Sequence, residues 1–420
     1  MLHFKNNQRG FAAFLLTLLV FIVVFSIVVS IFVLTYNQQK ILRNVISSNQ
    51  AYYAAEGGIE DILLRLSKTM NWSSPYSLNV GRGTTQLEVS DIIGGSRNII
   101  SQGNVSNRIK KIQVVYQISS AEVSFYYGAQ IGDGGMVMGN GSTVQGNVFS
   151  NGNVTGGGTV TNSITVAGNG HKIQGINVGE DADVHTCDNA DIGGTLHYVS
   201  GGSIIGCTYG AAVDRGPNEI EGVPLPISQN QINKWQGEAA AGGVNPNDVI
   251  IDGIQSLGPI QIGTSTQPKN LTFNNNSTLI LTGTIYVTGN ITTANNSTIK
   301  IDASYGSFSG VIIADDIIMV ENGTTLTGSG QAGSYVLLLS TKNDTVNPVI
   351  DIRNNAGGAI FYTNSGLIYL KNNMSAREVT GYKIQIDNNA QIQYESGLEN
   401  ANFTSGPAGS WEVVSWRETP

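Results

Sequence analysis

The chain has 420 residues, a formal net charge of -8 and only 12% charged residues. Lys and Arg form no stripe beyond the first segment, which argues against a nucleic-acid-binding protein. Glycine is abundant at 52 residues and accompanies many Asn, Thr, Ile and Val, a mixture typical of short strands joined by tight turns and not of a disordered chain.

The first predicted element is an apolar helix over residues 11–34. No charged side chain occurs between Phe11 and Gln39. A helix of this length measures about 36 Å and can cross a bilayer core of about 30 Å, and the apolar run is too long for a secretory signal peptide. Lys5 and Arg9 precede it, so we expect a single-pass protein of the inner (cytoplasmic) membrane, with its N-terminus inside and the remainder exported.

The same helix is predicted to continue to residue 69. Apolar side chains recur at steps of three, four or seven residues, at Ile41, Val45, Tyr52, Ala55, Ile59, Leu63 and Leu66. This spacing places them on one face of an amphipathic helix. Residues 11–69 therefore predict one helix, half in lipid and half packed against a soluble part. A membrane anchor with a helical stalk explains the same pattern.

The N-terminal region resembles type IV pilin-like proteins, in particular PilX-type minor pilins. The resemblance rests on a short basic leader ending at Gly10, an aromatic Phe11, the apolar helix and the segment QAYYAAEGGIEDILLRL. It implies that residues 1–10 are a leader, that a prepilin peptidase cuts between Gly10 and Phe11, that the new N-terminal residue is then methylated, and that other pilin-like subunits are partners. Major pilins carry Glu at the fifth mature position, where this chain has Leu15, and this departure favours an accessory or tip subunit.

Residues 70–127 predict a small antiparallel sheet. The runs TTQLEVSDI, RNIISQGNV and RIKKIQVVYQIS alternate apolar and polar residues, and Ile112, Val114, Tyr116 and Ile118 share one face of the last run. The segment SNR, residues 106–108, supplies a hairpin turn between the last two runs. We expect the helix around residues 51–66 to cover the apolar face of this sheet, as in a pilin-like head.

Residues 128–396 predict a parallel β-helix in two tracts, 128–245 and 246–396, followed by a tail over residues 397–420. Short apolar triplets are separated by Gly and Asn, and pairs such as Asn354-Asn355 and Asn388-Asn389 recur at rung-like intervals. Asn and Gly tolerate the left-handed conformation of a sharp corner, and stacked corners allow Asn side chains to bond between rungs. The predicted fold is therefore mainly β, with an antiparallel β-sandwich as the alternative to the β-helix.

A short helix is predicted over residues 229–241, between the two repetitive regions. Ser228 can cap it, Gly242 and Gly243 can end it, and Ile232 and Trp235 share the side that we expect to cover the β-helix. This region and the ending SWEVVSW resemble uncharacterised surface proteins of uncultured bacteria that join a PilX-like N-terminus to a β-helix. That resemblance implies an architecture and no particular activity.

Two cysteines, Cys187 and Cys207, lie 20 residues apart. A β-helix rung has a similar length, so they can lie on adjacent turns and form a disulfide, with two free buried thiols as the alternative. Five acids lie nearby in what we expect to be a solvated loop, with a calcium loop as the alternative: Glu180, Asp181, Asp183, Asp188 and Asp191. Asp315 and Asp316 form a weaker acidic pair. The histidines His171, His185 and His197 lack zinc-ligand spacing, and we expect no metal and no cofactor.

The repeats contain few acids and no nucleophile elbow, P-loop or metal motif, so we expect no enzyme and predict no catalytic residues. The predicted function is that of a pilin-like cell-surface protein that displays a β-helix for adhesion, with a surface or polysaccharide as the expected ligand. Two alternatives belong to other classes: a membrane-anchored adhesive protein that never enters a filament, and a β-helix enzyme acting on polysaccharides.

Overall fold

The computed structural model describes residues 8–67, 70–90, 96–118, 120–404 and 411–419. The chain divides into two compact units. Unit 1 comprises residues 1–91, 98–115 and 413–420, and unit 2 comprises residues 92–97 and 116–412. Most of unit 2 is therefore inserted, in sequence, between two parts of unit 1. The predicted leader falls largely outside the described residues, which do not include positions 1–7 and thus Lys5.

Unit 1 contains one long helix and a five-stranded sheet. The elements are α1 Gln8–Ser67, β1 Tyr76–Val80, β2 Gly83–Val89, β3 Ser96–Val105, β4 Arg108–Ile118 and the C-terminal strand Trp411–Thr419. The sheet order is β1-β2-β3-β4 and then the C-terminal strand. The β3–β4 hairpin turns at Ser106 and Asn107, both with positive φ, as two-residue hairpin loops require. The predicted helix and antiparallel sheet are confirmed.

Within the segment predicted as a tail over residues 397–420, Trp411–Thr419 form a strand that pairs next to β4. The side chain of Arg417 donates to Gln113 at 2.9 Å, and Lys110 forms an ion pair with Glu418. These contacts join residues about 300 positions apart, which no local sequence pattern reveals.

The second half of α1 lies on this sheet. The helix buries Ala51, Ala54, Ala55, Ile59 and Ile62. The sheet buries Leu87, Val89, Ile99, Ile112 and Val114 against it. The small residues at the contact let the helix approach closely: Gly58 lies over the hydroxyl groups of Thr85 and Ser101, which are 2.7 Å apart and bond to each other. Gly58 is therefore required for the close packing of the helix on the sheet.

Unit 2 is a parallel β-helix built from two tracts. The first tract contains β6 Ala129–Met138, β7 Thr143–Gln145, β8 Val148–Ser150, β9 Val154–Gly156, β10 Thr159–Val160, β11 Ile164–Val166, β12 Lys172–Gln174, β13 Asn177–Val178, β14 Ala182–Val184, β15 Thr186–Asp188, β16 Asp191–Tyr198, β17 Ile204–Ile205 and β18 Thr208–Asp214. A short strand, β5 Ser120–Val123, precedes the first tract and pairs antiparallel with a strand that follows the second.

The second tract supplies the remaining strands. They are β19 Val244–Asn245, β20 Val249–Ile251, β21 Ile254–Leu257, β22 Ile260–Thr264, β23 Gln267–Pro268, β24 Leu271–Phe273, β25 Thr278–Leu281, β26 Ile285–Val287, β27 Ile291–Thr292, β28 Thr298–Ile301, β29 Gly310–Ala314, β30 Ile318–Val320, β31 Thr325–Thr327, β32 Val336–Ser340, β33 Pro348–Ile352, β34 Ile360–Leu370, β35 Ser375–Ala376, β36 Glu378–Ile386, β37 Gln391–Gln393 and β38 Ala401–Thr404. Strand β38 is the partner of β5.

The two tracts form one continuous stack in the reverse of their sequence order. Strand β36, near the end of the second tract, pairs in parallel with β6, which begins the first. Strand β37 pairs in parallel with β7 in the same way. A single apolar core runs through both tracts and contains, for example, Val144 and Ile392. The stack therefore begins with the rung at residues 244–257 and ends with the rung at residues 204–214.

The stack has three faces, named here by their strands. Face A includes β22, β26, β29 and β32, face B includes β24, β27, β30 and β33, and face C includes β25, β28, β31 and β35. Inward-pointing residues such as Ile291, Ile299 and Ile312 are fully buried. The β-helix is confirmed, and its parallel ladders exclude the β-sandwich.

The corners between faces B and C have the same four-residue turn on seven consecutive rungs. The third residue of each has φ between 56° and 71°: Asn276, Asn296, Gly323, Asn355, Asn373, Asn389 and Gly141. The N–H of the fourth residue donates to the carbonyl of the first at 3.2–3.3 Å. The left-handed Asn corners are thus confirmed. The expected side-chain bonds between rungs occur elsewhere, for example from the N–H of Asn290 to the side chain of Asn270 at 2.8 Å.

Helix α2 Gln229–Ala241 lies in the connection between the tracts, as predicted. The hydroxyl of Ser228 accepts the N–H of Gln231 at 3.2 Å and caps the helix. Ile232 and Trp235 are buried in a second apolar cluster with Val311, Leu339 and Phe403. This cluster covers the outer side of face A, so the helix is a cover for the β-helix.

Candidate functional site

The first half of α1 presents apolar side chains on every side. We call residues 11–34 the stem. Each of its side chains is exposed, Phe11 at 67%. Within the described part of the chain, one helix qualifies as a membrane span by length and composition, over Phe11–Leu66, with a mean hydropathy of 3.1 in its most apolar window. The stem therefore has the length and polarity to lie in a bilayer.

The hydroxyl groups along and just beyond the stem bond within the helix. Each donates to a backbone carbonyl in the preceding turn at 2.8–2.9 Å: Thr17 to Phe14, Ser26 to Ile22, Ser30 to Ser26 and Thr35 to Ile31. These bonds satisfy the hydroxyl donors without water, which a hydrocarbon environment requires.

The residues implicated in processing lie at the start of α1. Gly10 follows the first described residue of the helix, Gln8, by two positions. Phe11 and Leu15 are exposed, the latter at 47%. The structure thus brings Gly10, Phe11 and Leu15 together at the beginning of the stem, whereas cleavage and methylation stay predictions.

An apolar surface continues beyond the stem on the side of α1 that faces away from the sheet. The exposed apolar residues there are Leu42, Ile46, Tyr53 and Leu64. At 100° per residue they lie away from Ala51, Ala54 and Gly58, which face the sheet. The second half of α1 therefore carries two apolar faces, one buried in unit 1 and one open.

The five acids of the candidate calcium loop do not converge on one point, because each forms a hydrogen bond or an ion pair with a different partner. Their partners are Asn162 and Ser163 for Glu180, the N–H of Thr195 for Asp181, Arg215 and His197 for Asp183, Lys172 for Asp188, and the hydroxyl of Thr208 for Asp191. Most of these bonds connect adjacent rungs. The described residues contain no group of three or more His, Cys, Asp or Glu placed to hold a metal ion.

The remaining predicted side chains also have local partners. Cys187 and Cys207 form a disulfide, with Cα atoms 6.4 Å apart, between neighbouring rungs near the end of the stack. Asp315 accepts hydrogen bonds from Tyr286 at 2.5 Å and Thr341 at 2.9 Å, and Asp316 pairs with Lys342. These residues connect rungs of unit 2, whereas the stem belongs to unit 1.

One cavity of about 390 Å³ lies in unit 2 beside the connection that leads to α2. Asp133 and His171 line it, and the side chain of Asn151 holds the backbone of Val223 at its edge through two bonds of 3.0 Å. His171 Nδ1 lies 2.6 Å from the carbonyl of Ala167, to which it donates. One carboxylate and one imidazole are too few ligands for a metal centre.

The sequence did not predict one buried acid, Glu378. It is fully buried at the start of β36, one of its oxygens accepts from the hydroxyl of Thr380 at 2.5 Å, and the other oxygen has no partner. Burial raises the pKa of the Glu378 carboxyl well above its usual value, and the Thr380 bond opposes this only in part. A single Glu in the stretch AREVTG gives no sequence signal of burial, because the neighbouring charges suggest a surface strand.

Comparisons with known proteins give no family. No family model and no curated protein sequence matches the chain. The competence-associated pilin ComZ from Thermus thermophilus is a similar solved structure, with 10% identity, coverage of 89% of this chain and 98% of that one, and a TM-score of 0.24. An ice-binding protein from an Antarctic Flavobacteriaceae bacterium shows 13% identity, coverage of 64% and 81%, and a TM-score of 0.14. At these scores neither likeness carries an argument about function.

Proposed function

We propose that the chain is a pilin-like, membrane-anchored surface protein that serves as an accessory or tip subunit of a type IV pilus or a related filament. Unit 2 would then supply a β-helix for adhesion or for contact with a partner. The observation that supports this most directly is α1, whose exposed apolar stem continues without a break into a helix docked on its own small sheet.

The proposed role uses the stem in two environments. Before assembly it lies in lipid, which satisfies its apolar surface. On assembly it leaves the bilayer and packs against the stems of neighbouring pilin-like subunits, so its surface stays out of water. The open apolar residues Leu42, Ile46 and Tyr53 extend the same surface beyond the membrane boundary. Because the second half of α1 is fixed to the sheet, unit 1 moves with the stem.

The proposal includes cleavage by a prepilin peptidase between Gly10 and Phe11. It also includes an accessory position, because Leu15 offers no carboxylate to the N-terminus of a neighbouring subunit. No catalytic activity and no cofactor form part of the proposed function.

Intact-mass spectrometry of the protein from its own membranes or filaments tests the proposal. We expect a mass that lacks residues 1–10 and carries one methyl group on Phe11. A Gly10→Val variant, with a side chain at the cleavage position, should keep the full-length mass and stay out of filaments. A wild-type mass that retains the leader would mean a plain membrane anchor and would overturn the filament proposal.

A further inference from the structure

A row of seven asparagines runs along the corner between faces B and C. Each is the second residue of the repeated corner turn, and all are exposed: Asn275, Asn295, Asn322, Asn354, Asn372, Asn388 and Asn140. Consecutive strands are about 4.8 Å apart, so the row extends for about 29 Å. The seven corners belong to both tracts, which only the reversed stacking order brings together.

The turn geometry does not require these asparagines. Left-handed φ occurs at the third residue of each corner, such as Asn296, and explains Asn or Gly there. The second residue, such as Asn295, has no positive φ, so other residues fit its backbone equally well. None of the seven amide side chains has a hydrogen-bond partner in the part of the chain that the structure describes. All seven amides are therefore available as donors and acceptors.

A second polar row runs beside the first, three residues further along each rung. It begins face C and contains Thr278, Thr298, Thr325, Gly357, Ser375, Gln391 and Thr143, of which Gly357 alone has no polar side chain. These residues are consecutive partners across the stack, which fixes their alignment. The hydroxyls of Thr298 and Thr325 lie 3.1 Å apart. We call the two rows together the amide–hydroxyl strip.

The strip is uncharged along its whole length. Charged residues occur only beside it. Those of the corner turns are paired: Arg353 with Glu321 at 3.1 Å, Lys371 with Asp351 at 3.2 Å, and Asp387 with the hydroxyl of Tyr369 at 2.7 Å. On face C, Arg377 pairs with Glu395 at 2.8 Å, and Lys300 is a single exposed lysine. An ionic polymer would require a row of unpaired Lys or Arg along the strip, not the single Lys300 beside it, and an apolar partner would require exposed apolar area. The strip offers neither, and instead provides neutral hydrogen-bonding groups at a regular spacing.

We propose that the amide–hydroxyl strip binds an extended, uncharged polysaccharide that lies across the rungs, along the axis of the β-helix. Sugar hydroxyls are both donors and acceptors, as are the amides of the first row. A linear chain of hydroxyl-bearing rings matches a straight row better than a compact ligand does. The inference deepens the proposed function by naming its ligand class, and it rests on that function only in placing the strip outside the cell.

Sedimentation with insoluble polysaccharides tests this inference. The detergent-solubilised full-length chain is mixed with microcrystalline cellulose, with chitin and with an insoluble β-1,3-glucan, and the protein left in the supernatant is measured. We expect binding to at least one of the three. Combining Asn295→Ala, Asn322→Ala and Asn388→Ala should weaken that binding by about tenfold, because three of the seven amides are lost.

A matched control variant changes three residues on the same rungs. Each lies three residues before the substituted asparagine, on the outer side of face B. The control variant combines Thr292→Ala, Met319→Ala and Gln385→Ala and should leave binding unchanged. Both variants should keep the wild-type unfolding temperature. Absence of binding to all three polymers, or equal weakening in both variants, would overturn the inference. So would a loss of self-association, without polysaccharide, in the Asn variant alone, since the strip would then contact a second copy. A chain that keeps its leader but binds refutes the filament proposal and leaves this one standing.

Discussion

Gly103 in β3 lies against the backbone of α1 at Ala51. A Cβ atom on Gly103 would overlap the carbonyl oxygen of Ala51 and lie 2.6 Å from the amide nitrogen of Ala55. The helix and the strand are therefore in direct backbone contact, which a side chain on Gly103 would prevent.

Replacing Gly103 with Val should destabilise unit 1. The added side chain has no space, so the helix must move off the sheet, and overpacking of this kind costs about 1–3 kcal/mol. Chemical unfolding of the full chain in detergent, followed by circular dichroism, measures the change. Gly237→Ala in α2 is the control, since open space surrounds Gly237 and Ala should stabilise the helix by about 0.5–1 kcal/mol. Equal effects from both substitutions would contradict the packing argument.

The disulfide should stabilise the end of the β-helix stack. Cys187 is fully buried, and the bond closes a loop with a sequence separation of 20 residues. Loss of such a crosslink costs about 3 kcal/mol in the chain-entropy model. We expect Cys187→Ser with Cys207→Ser to lower the free energy of unfolding by that amount. Dithiothreitol should lower it similarly in the wild type and leave the variant unaffected. If dithiothreitol leaves the free energy of unfolding of the wild type unchanged, the crosslink contributes nothing to stability.

The local elements of this fold could be predicted from sequence because each has a local cause. Ser228 caps α2, Ser106 and Asn107 close a hairpin, and left-handed Asn residues mark the corners. The stem could be recognised for the same reason, since its apolar residues follow one another without a charged residue.

The reversed order of the tracts could not be predicted. It depends on β36 pairing with β6, and the partners Val379 and Ala129 are 250 positions apart with no signal in either strand. The amide–hydroxyl strip could not be predicted for the same reason. The Asn pairs are recognisable in the sequence, but Asn388 and Asn140 are neighbours only because β36 and β37 pair with β6 and β7. Glu378 was missed because burial of a lone acid depends on the surrounding strands.

The two asparagines of one corner should respond differently to substitution. Asn296 has φ 57°, so Asn296→Ala places an alanine in the left-handed region and should cost about 1–2 kcal/mol. Asn296→Gly removes that strain and should cost far less. Asn295→Ala should leave stability unchanged, because its backbone needs no special residue and its amide has no internal partner. Thermal unfolding of the three variants decides this. A destabilised Asn295→Ala variant would assign the amide row a structural role.

The stability of the β-helix should fall as the pH rises through the range controlled by Glu378. The folded-state pKa of this carboxyl is raised by burial, whereas in the unfolded chain it titrates near 4.5. Below the unfolded value both states are protonated, and the full stability is present. Above it the unfolded state alone loses the proton, so stability declines by about 1.4 kcal/mol per pH unit until the folded carboxyl also ionises. The charge on Glu378 then helps to raise the pKa of Tyr362 and Tyr394, which lie nearby.

Glu378→Gln isolates this effect, because the amide has the same shape, keeps an acceptor for the hydroxyl of Thr380 and does not titrate. Unfolding free energies measured in urea from pH 4 to pH 8 should show a smaller decline with pH for the variant than for the wild type. Glu399→Gln replaces an exposed acid and should reproduce the wild-type profile. Parallel profiles for wild type and Glu378→Gln would mean that the carboxyl titrates alike in both states, and that water or structural relaxation reaches it in the folded protein.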